Sequence, residues 1–555
     1  MSKPGAAETA TTGAVIERLS WQAAHRDDQR VARALHSEQE VDAMHELSEA
    51  GLLDEFFHFL EQLGVMQVLG KMEMAGVERI LIPVVQFVLL YLLKVLFGIA
   101  SMNALPRLLC SNVGLMQMIG FNATQTANGL THRGDAQRKT KRKQGPLSAQ
   151  CLAQNIGRFT REQMECFFNQ IVRLLVVHFV TGNLLVALDG SKLPTPESYE
   201  GRGCLKVTRQ VKVRGSKEAV AVETLVYGWK VLVLIEVQTR LPLAMKVVKI
   251  EAYEGQYLVP LIEQAHANLG SHARIVKVVI DRGYLDGEDL WQLDQRGILF
   301  VVVGKSNMAV TQDAQALAKI EPSRLREREV HHGRGRKATT ETLRTRLVGI
   351  ENLTTYDAYG PEEYTTQQNR RDFVGHFINA VVVRMWDNRA PKGDGTVYLT
   401  NGPVSDPFVV FDDYDWRSVI ENGIFKEGKH PWHLGRFPQR NEAAVIVHCY
   451  FTLVVMALCT AFRLWQAQGS PDWALPTPAV PTPSLSSALL HGEGTVRWRQ
   501  RLKEENRDQV IIFVGEAYGI FHLAELAVLT GMRLSLIPAH LGSRQAILAR
   551  FGLSP

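Results

Sequence analysis

The stretch Leu184-Leu185-Val186-Ala187-Leu188, followed at once by Asp189-Gly190-Ser191, decides the fold class of this chain. A short apolar run that stops at a turn signal is typical of a buried β-strand. Residues 275–280 have the same character and are followed by Asp281-Arg282-Gly283. We therefore expect two buried strands, each of which ends at an aspartate.

The sequence around these two strands predicts a mixed sheet. Extended stretches at 225–237 and 244–250 flank a turn at 239–242, which favours a β-hairpin. Helices are expected at about 255–269 and 287–295, and a further strand at 299–303. The order strand, hairpin, helix, strand, helix, strand predicts an α/β fold whose antiparallel strands come first and whose parallel strands follow.

The two aspartates are the first candidate site residues. In α/β sheets, ligands gather at the carboxyl ends of the strands, so Asp189 and Asp281 could share a metal ion if their strands are neighbours. Hard cations such as Mg²⁺ prefer carboxylate oxygens. A single Asp-Gly more often caps a turn, and this alternative weakens when two strands of one sheet both end in aspartate.

A third candidate group lies on a predicted helix at about 413–427. Tyr414, Arg417 and Glu421 are spaced at i, i+3 and i+7, which places them on one helical face. That face would present a phenol, a guanidinium and a carboxylate. The alternative is a solvent-facing ion pair between Arg417 and Glu421.

The pattern Tyr414-x-x-Arg417-x-x-x-Glu421, followed by Lys429, resembles the Y-R-E-K signature of insertion-sequence DDE transposases, which have a ribonuclease-H-like catalytic core. The resemblance also covers both Asp-Gly and Asp-Arg-Gly motifs and spans roughly residues 145–465. The second acid follows the first by 92 positions, and the third follows the second by 140. The signature expects lysine seven positions after the glutamate, where this chain has Gly428.

The resemblance implies the chemistry. The three acidic residues that would both catalyse and bind metal are Asp189, Asp281 and Glu421. They would hold two Mg²⁺ ions about 3.5–4 Å apart, with Mn²⁺ as a possible substitute. Residues of the signature that would bind DNA are Tyr414, Arg417 and Lys429. The reaction would be cleavage of transposon ends and strand transfer into target DNA. The partners would be the terminal inverted repeats, the target DNA and a second copy of the chain in a synaptic homodimer.

Charge is concentrated in two runs. The chain has 62 Lys and Arg against 57 Asp and Glu, so its net charge of +5 permits nucleic-acid binding without arguing for it. The first run lies at 133–143, and the second, at 324–346, has eight basic residues against three Glu. Either run alone could be a solvated loop. The residues of the first run that we expect to contact DNA phosphates are Arg138, Lys139, Lys141, Arg142 and Lys143.

Composition also divides the chain. We expect a disordered tail at 1–35, a helical N-terminal region that binds DNA at 36–180, the first part of the catalytic core at 181–303 and a β-rich insertion at 304–411. The helical end of the core would occupy 412–467, a Pro-rich linker 468–495 and a small C-terminal module 496–555.

Other classes remain as alternatives. Six cysteines without a Cys-x-x-Cys pair favour reduced thiols in a cytoplasm, where a bacterial protein of this kind would associate with the nucleoid. The apolar stretch 80–100 favours a buried helix over a membrane span, because it contains Pro83, Gln86 and Lys94. No membrane partner is therefore expected. A non-catalytic DNA-binding protein derived from a transposase, or another ribonuclease-H-like nuclease, would share most of these features.

Overall fold

The computed structural model of the 555-residue chain describes residues 25–37, 43–46, 53–74, 82–110, 115–116, 119–121, 146–212, 219–332, 339–361, 376–386, 395–469, 509–515 and 517–530. The chain forms two compact units. The first consists of Met1–Leu175, Ser198–Gly201 and Glu427–Pro555, and the second of Val176–Glu197 and Arg202–Lys426.

The part of the chain before residue 180 is mainly helical. Its elements are β1 (His25–Arg26), α1 (Asp28–His36), β2 (Ala43–Glu46), α2 (Leu53–Gln62), α3 (Val65–Gly70), α4 (Val84–Leu96), a 3₁₀ turn (Met102–Ala104), α5 (Leu105–Leu108), α6 (Ala149–Ile156) and α7 (Arg161–Phe179).

The stretch from 182 to 303 alternates strands and helices. Its elements are β3 (Gly182–Thr195), β4 (Gly203–Lys212), β5 (Ala219–Glu236), β6 (Pro242–Lys249), a 3₁₀ turn (Gly255–Tyr257), α8 (Leu258–Leu269), β7 (Ala273–Ile280), a 3₁₀ turn (Arg282–Tyr284), α9 (Gly287–Gln295) and β8 (Leu299–Val303).

Strands return after one helix, and a long helical region follows them. These elements are α10 (Ala309–Leu317), β9 (Arg324–His332), β10 (Thr339–Leu353), β11 (Ile378–Trp386), β12 (Thr396–Thr400), α11 (Pro407–Asp415), α12 (Arg417–Val419), a π-helix (Ile420–Lys426), α13 (Glu427–Lys429), α14 (Glu442–Ala467), β13 (Gln509–Val514), β14 (Ala517–His522) and α15 (Leu523–Thr530).

The second unit is built on one mixed sheet of ten strands among the described residues. Its order is β4-β5-β3-β7-β8-β12-β11-β10-β9, and β6 pairs with β5 beside this path. β3 is antiparallel to β5 and parallel to β7, and β7 is parallel to β8. The prediction of a mixed α/β sheet is confirmed.

The centre of this sheet is fully buried. Val186 and Leu188 of β3, Val233 of β5, and Val278 and Ile280 of β7 are 0% exposed. Each such side chain contributes about 1.5–3 kcal/mol relative to an exposed position. The segments that carry Asp189 and Asp281 are thus anchored by the best-packed strands of the unit.

β3 is longer than the sequence predicts. The apolar run was expected to stop at Asp189, but the strand continues to Thr195. The reason is its antiparallel partner, because β5 remains paired with β3 from Val186↔Glu236 to Thr195↔Tyr227. Asp189 therefore lies inside a strand and is hydrogen-bonded into the sheet on the β5 side.

The β-rich stretch after residue 304 continues the same sheet. β12 pairs antiparallel with β8, and β11, β10 and β9 follow outward from it. The helix α11 packs against these strands, and its Val410 joins a cluster with Leu347, Val381 and Val383. The sheet thereby supports the helix that carries the third candidate group.

The first unit has a largely apolar helical core. The predicted buried helix within 80–100 is α4, which is buried along its whole length, Lys94 included. It packs against α14, where the Tyr91 hydroxyl and His448 Nδ1 form a 2.8 Å hydrogen bond. Burial lowers the pKa of Lys94 to about 8.

Among the helices that the structure describes, Glu442–Ala467 is long and apolar enough to cross a membrane. Its most apolar window is 94% buried inside the protein, as is common in the core helix of a globular protein. Length and apolar composition alone are therefore weak evidence that this helix spans a membrane.

Candidate active site

Asp189 and Asp281 occupy matching positions on two neighbouring strands. In the parallel pairing of β3 with β7, Leu188 lies opposite Ile280. Asp189 follows Leu188 within β3, and Asp281 follows the last residue of β7. The two strands are therefore neighbours, and each aspartate directly follows one residue of this pair.

Asp189 is nearly buried and both its oxygens have partners. It is 8% exposed. Its Oδ1 accepts a 2.7 Å hydrogen bond from the backbone N–H of Gly190, and its Oδ2 accepts a 3.1 Å bond from Arg417 Nη1. The pKa of Asp189 is raised to about 6, chiefly by burial. The donors Gly190 and Arg417 act against this rise, and the charges of Asp281 and Glu254 add to it.

Arg417 connects the helix to the sheet. Besides its bond to Asp189, its Nη2 lies 3.7 Å from Glu421 Oε2. Burial alone would lower the pKa of the guanidinium, but the neighbouring Tyr414, Asp189, Asp281 and Glu421 raise it above its ordinary value. Arg417 is thus a fixed positive charge among acidic side chains.

Glu421 is placed differently from the prediction. The helix expected at 413–427 is interrupted at Trp416, and Glu421 lies in the π-helix Ile420–Lys426 rather than in an α-helix. Its side chain is 64% exposed and forms the ion pair with Arg417 that the sequence left as an alternative. Arg417 therefore contacts both Asp189 and Glu421.

Tyr414 is fixed by aromatic stacking. Its ring lies 4.6 Å from that of Tyr398 on β12 at an angle of 24°. The Arg417 guanidinium lies 5.7 Å from the Tyr414 ring centroid. Burial raises the pKa of Tyr414, Arg417 lowers it, and the charge of Asp281 adds to the increase. The tyrosine and the arginine of the signature thus share one surface with the two aspartates.

Lys277 and Asp413 were missed by the sequence reasoning. They form an ion pair with side chains 22% and 16% exposed, and the pair ties α11 to the strand that ends before Asp281. No local signal identifies this contact, because the two residues are far apart along the chain.

Glu254 was also missed, and it lies close to both aspartate segments. Its Oε1 accepts a 2.8 Å bond from Lys230 Nζ, which also donates to the carbonyl of Ala252 at 2.7 Å. A side chain at Gly283 would place its Cβ 2.6 Å from Glu254 Oε2. A glutamate just before a helix that follows the hairpin is a signal that could have been noticed.

Other predicted residues lie elsewhere. Lys429, on α13, belongs to the first unit, and burial lowers its pKa. The basic run with Arg138, Lys139, Lys141, Arg142 and Lys143 lies outside the described residues. Within the described ranges, no three His, Cys, Asp or Glu side chains are grouped closely enough to hold a metal ion. In this arrangement the charge of Asp189 is balanced by Arg417.

The family of the chain follows from its sequence. A model described as "Transposase DDE domain" matches residues 181–459, just over half of the 555 residues. The chain belongs to this family of DDE transposases, which confirms the membership that the signature predicts. No curated protein matches the chain.

Among solved structures, a similar chain is the piggyBac transposase in a cryo-electron-microscopy structure of its synaptic complex with hairpin DNA. The identity is 10%, with 87% of this chain and 82% of that chain covered, at a TM-score of 0.34. A likeness of this size carries no argument about function.

The raised pKa of Asp189 predicts a pH-dependent stability. An unfolded aspartate titrates near pH 3.9, and folded Asp189 titrates near 6. The folded state therefore holds the proton more tightly, and stability falls as pH rises from about 4 to about 6. The Asp189→Asn side chain stays neutral and is not subject to this loss. From about pH 4 to about pH 6, the free energy of unfolding of the variant should therefore rise by about 3 kcal/mol relative to that of wild type.

Urea denaturation followed by tryptophan fluorescence at several pH values measures this difference. The exposed Asp357 supplies the control, since Asp357→Asn should follow the wild-type profile. Parallel profiles for wild type and Asp189→Asn would contradict the assignment.

Proposed function

We propose that this transposase cleaves transposon ends and joins them to target DNA by Mg²⁺-dependent phosphoryl transfer, with Asp189, Asp281 and Glu421 as its catalytic acids. One observation carries the proposal. Two aspartates follow paired residues of adjacent parallel strands, and Arg417, which reaches one of them, lies one helical turn before Glu421.

The donor set fits a divalent cation in its chemistry. Carboxylate oxygens are the ligands that Mg²⁺ prefers, and Mn²⁺ accepts the same set. Arg417 already supplies a positive charge beside Asp189 and Glu421. For the acids to bind the cation, Arg417 must release Asp189, and the exposed Glu421 side chain must turn toward the aspartates. A bound cation would lower the pKa of an attacking water or DNA 3′-hydroxyl and stabilise the leaving oxygen.

The other signature residues would hold the DNA. Once released from Asp189, Arg417 can bind a phosphate through two parallel hydrogen bonds, whereas Lys429 would act as a point charge. Tyr414, held against Tyr398, offers a hydroxyl to a phosphate or a ring to a displaced base. Positioning of the scissile phosphate is the main contribution that we assign to these three side chains.

The DNA partners in this proposal are the terminal inverted repeats and the target duplex, bound by a homodimer in a synaptic complex. Of the two basic runs, 133–143 is the better candidate for phosphate contact. In the described part of the second run, Arg324 pairs with Asp406 and Arg326 pairs with Asp412 at 2.6 Å, so acidic side chains already balance much of its charge.

The proposal also keeps the domain roles expected from the sequence, with DNA-end binding at 36–180 and assembly contacts at 496–555. A cytoplasmic protein associated with the bacterial nucleoid suits a DNA substrate. All six cysteines are free thiols, which agrees with a reducing compartment.

Cleavage is tested on a linear duplex that carries the DNA flanking this coding region, incubated with Mg²⁺ and a target plasmid. Wild type should nick the ends and transfer them. Asp281→Ala and Glu421→Gln should each lower the rate by at least about a hundredfold, because several kcal/mol of charge stabilisation is lost. Glu263→Gln, which breaks an exposed ion pair with Arg296, is the matched control and should keep wild-type activity.

The outcome separates the alternatives. Equal DNA binding by wild type and Asp281→Ala, with no nicking by either, would favour a non-catalytic DNA-binding protein. Hydrolysis without joined products would favour another ribonuclease-H-like nuclease.

The salt dependence of DNA binding tests the basic run. If about six phosphates are neutralised, the logarithm of the association constant should fall with the logarithm of salt concentration at a slope near −5. Replacing Lys141, Arg142 and Lys143 by glutamine should make the slope about three units shallower. A slope that these substitutions leave unchanged would exclude the run as the phosphate contact.

A further inference from the structure

Glu254 and Lys230 form an ion pair that is protected from solvent beside the candidate active site. Their side chains are 18% and 8% exposed, and Lys230 Nζ lies 2.8 Å from Glu254 Oε1. Lys230 is also held by the carbonyl of Ala252 at 2.7 Å. One oxygen of Glu254 is thus fixed by a lysine, which orients the rest of the carboxylate.

The carboxylate lies against the backbone that follows each aspartate. A Cβ at Gly190, directly after Asp189, would meet Glu254 Oε1 at 3.5 Å. A Cβ at Gly283, two residues after Asp281, would meet Oε2 at 2.6 Å, closer than real Cβ atoms come. The glycine at 283 therefore leaves room for the Glu254 carboxylate in this position, from which a side chain would displace it.

A second, independent feature lies near the same carboxylates. Tyr284 is 0% exposed, and its hydroxyl has no hydrogen-bond partner among the described residues. Burial raises the pKa of Tyr284 well above its ordinary value, and the charges of Glu254, Asp189 and Asp281 add to the increase. A buried hydroxyl normally has a partner, and a water bound to a cation could supply one by donating to it.

We propose that Glu254 is a fourth acidic residue of this site and binds the divalent cation together with Asp189 and Asp281. The inference rests on the proposed function, which supplies the cation. It goes beyond the signature, whose third acid, Glu421, is 64% exposed and pairs with Arg417. The carboxylate of Glu254 lies against the segments that follow the two aspartates, but the three acids are not grouped closely enough to hold a cation in the described arrangement. They would draw together once Arg417 releases Asp189 and Lys230 releases Glu254.

In this proposal, Lys230 competes with the divalent cation for the carboxylate of Glu254. In the described arrangement its ammonium balances the charge of Glu254, as Arg417 balances that of Asp189. A cation that binds Glu254 must take over this role. Removal of the lysine charge should therefore strengthen cation binding, whereas removal of the glutamate charge should weaken it. If the ion pair were purely structural, removal of the lysine and removal of the glutamate would not change the affinity for the cation in opposite directions.

The test is calorimetric titration of the full-length protein with MnCl₂, without DNA. Glu254→Gln should weaken Mn²⁺ binding by about tenfold or more, because one ligand loses its charge. Lys230→Met should strengthen it by about three- to tenfold, because an adjacent positive charge is lost. Each variant breaks a single ion pair, and melting curves recorded alongside report whether it is folded.

Two exposed ion pairs of the same unit provide matched controls. Glu263→Gln breaks the pair with Arg296, and Lys206→Met breaks the 2.7 Å pair with Glu223. Both should bind Mn²⁺ as wild type does. If Glu254→Gln alone fails to fold, the double variant Lys230→Met/Glu254→Gln removes both charges, and it should bind at least about tenfold more weakly than Lys230→Met.

The proposed function has its own control in Asp281→Asn, which should abolish binding. Loss of binding in Asp281→Asn together with wild-type affinity in Glu254→Gln would overturn the role of Glu254 and leave the proposed function intact. Absence of Mn²⁺ binding by wild type would overturn both.

Discussion

The parallel hydrogen bonding of β3 to β7 is the constraint on which the candidate site depends. Because Leu188 is in register with Ile280, the aspartates that follow them cannot move apart without breaking the best-buried strands of the sheet. The other candidate groups come from elements outside these two strands. The Lys277–Asp413 ion pair and the Tyr398–Tyr414 stacking hold α11 against β7 and β12, so Arg417 can reach Asp189. The strands thus determine where the two aspartates lie, and side-chain contacts place Arg417 beside them.

The second constraint on this site is the repulsion among its acidic side chains. Several carboxylates lie near one another in a poorly solvated space, where like charges repel strongly. The protein offsets the repulsion with its own cations, a guanidinium at Asp189 and an ammonium at Glu254. Arg417 is distant in sequence from Asp189, whereas Lys230 lies on the hairpin that precedes Glu254. Without these cations, a buried cluster of carboxylates would destabilise the fold.

Much of the fold could be predicted from local sequence. The helix Gly287–Gln295 and the strand Leu299–Val303 have the bounds expected from their apolar pattern, because turn residues mark both ends. The continuation of β3 through Asp189 could not be predicted, since it depends on the distant strand β5. The early start of α11 was missed although Asp406-Pro407 is a recognisable helix start. Within the site, the signature residues were found by spacing, but the partner of Asp413 is Lys277, far away in the chain, and leaves no local pattern.

The π-helix Ile420–Lys426 has a consequence for the signature itself. A π-helical turn closes its hydrogen bonds from residue i to i+5, so it takes up one residue more than an α-helical turn. When a π-helical turn absorbs one inserted residue, every later residue number rises by one, but the later side chains keep their positions around the helix axis. The lysine of the signature arrives one position late in this chain, which is the offset that such an added residue produces. Counted along the helix, the irregular turn favours Lys429 over Lys426 as the counterpart of the family lysine.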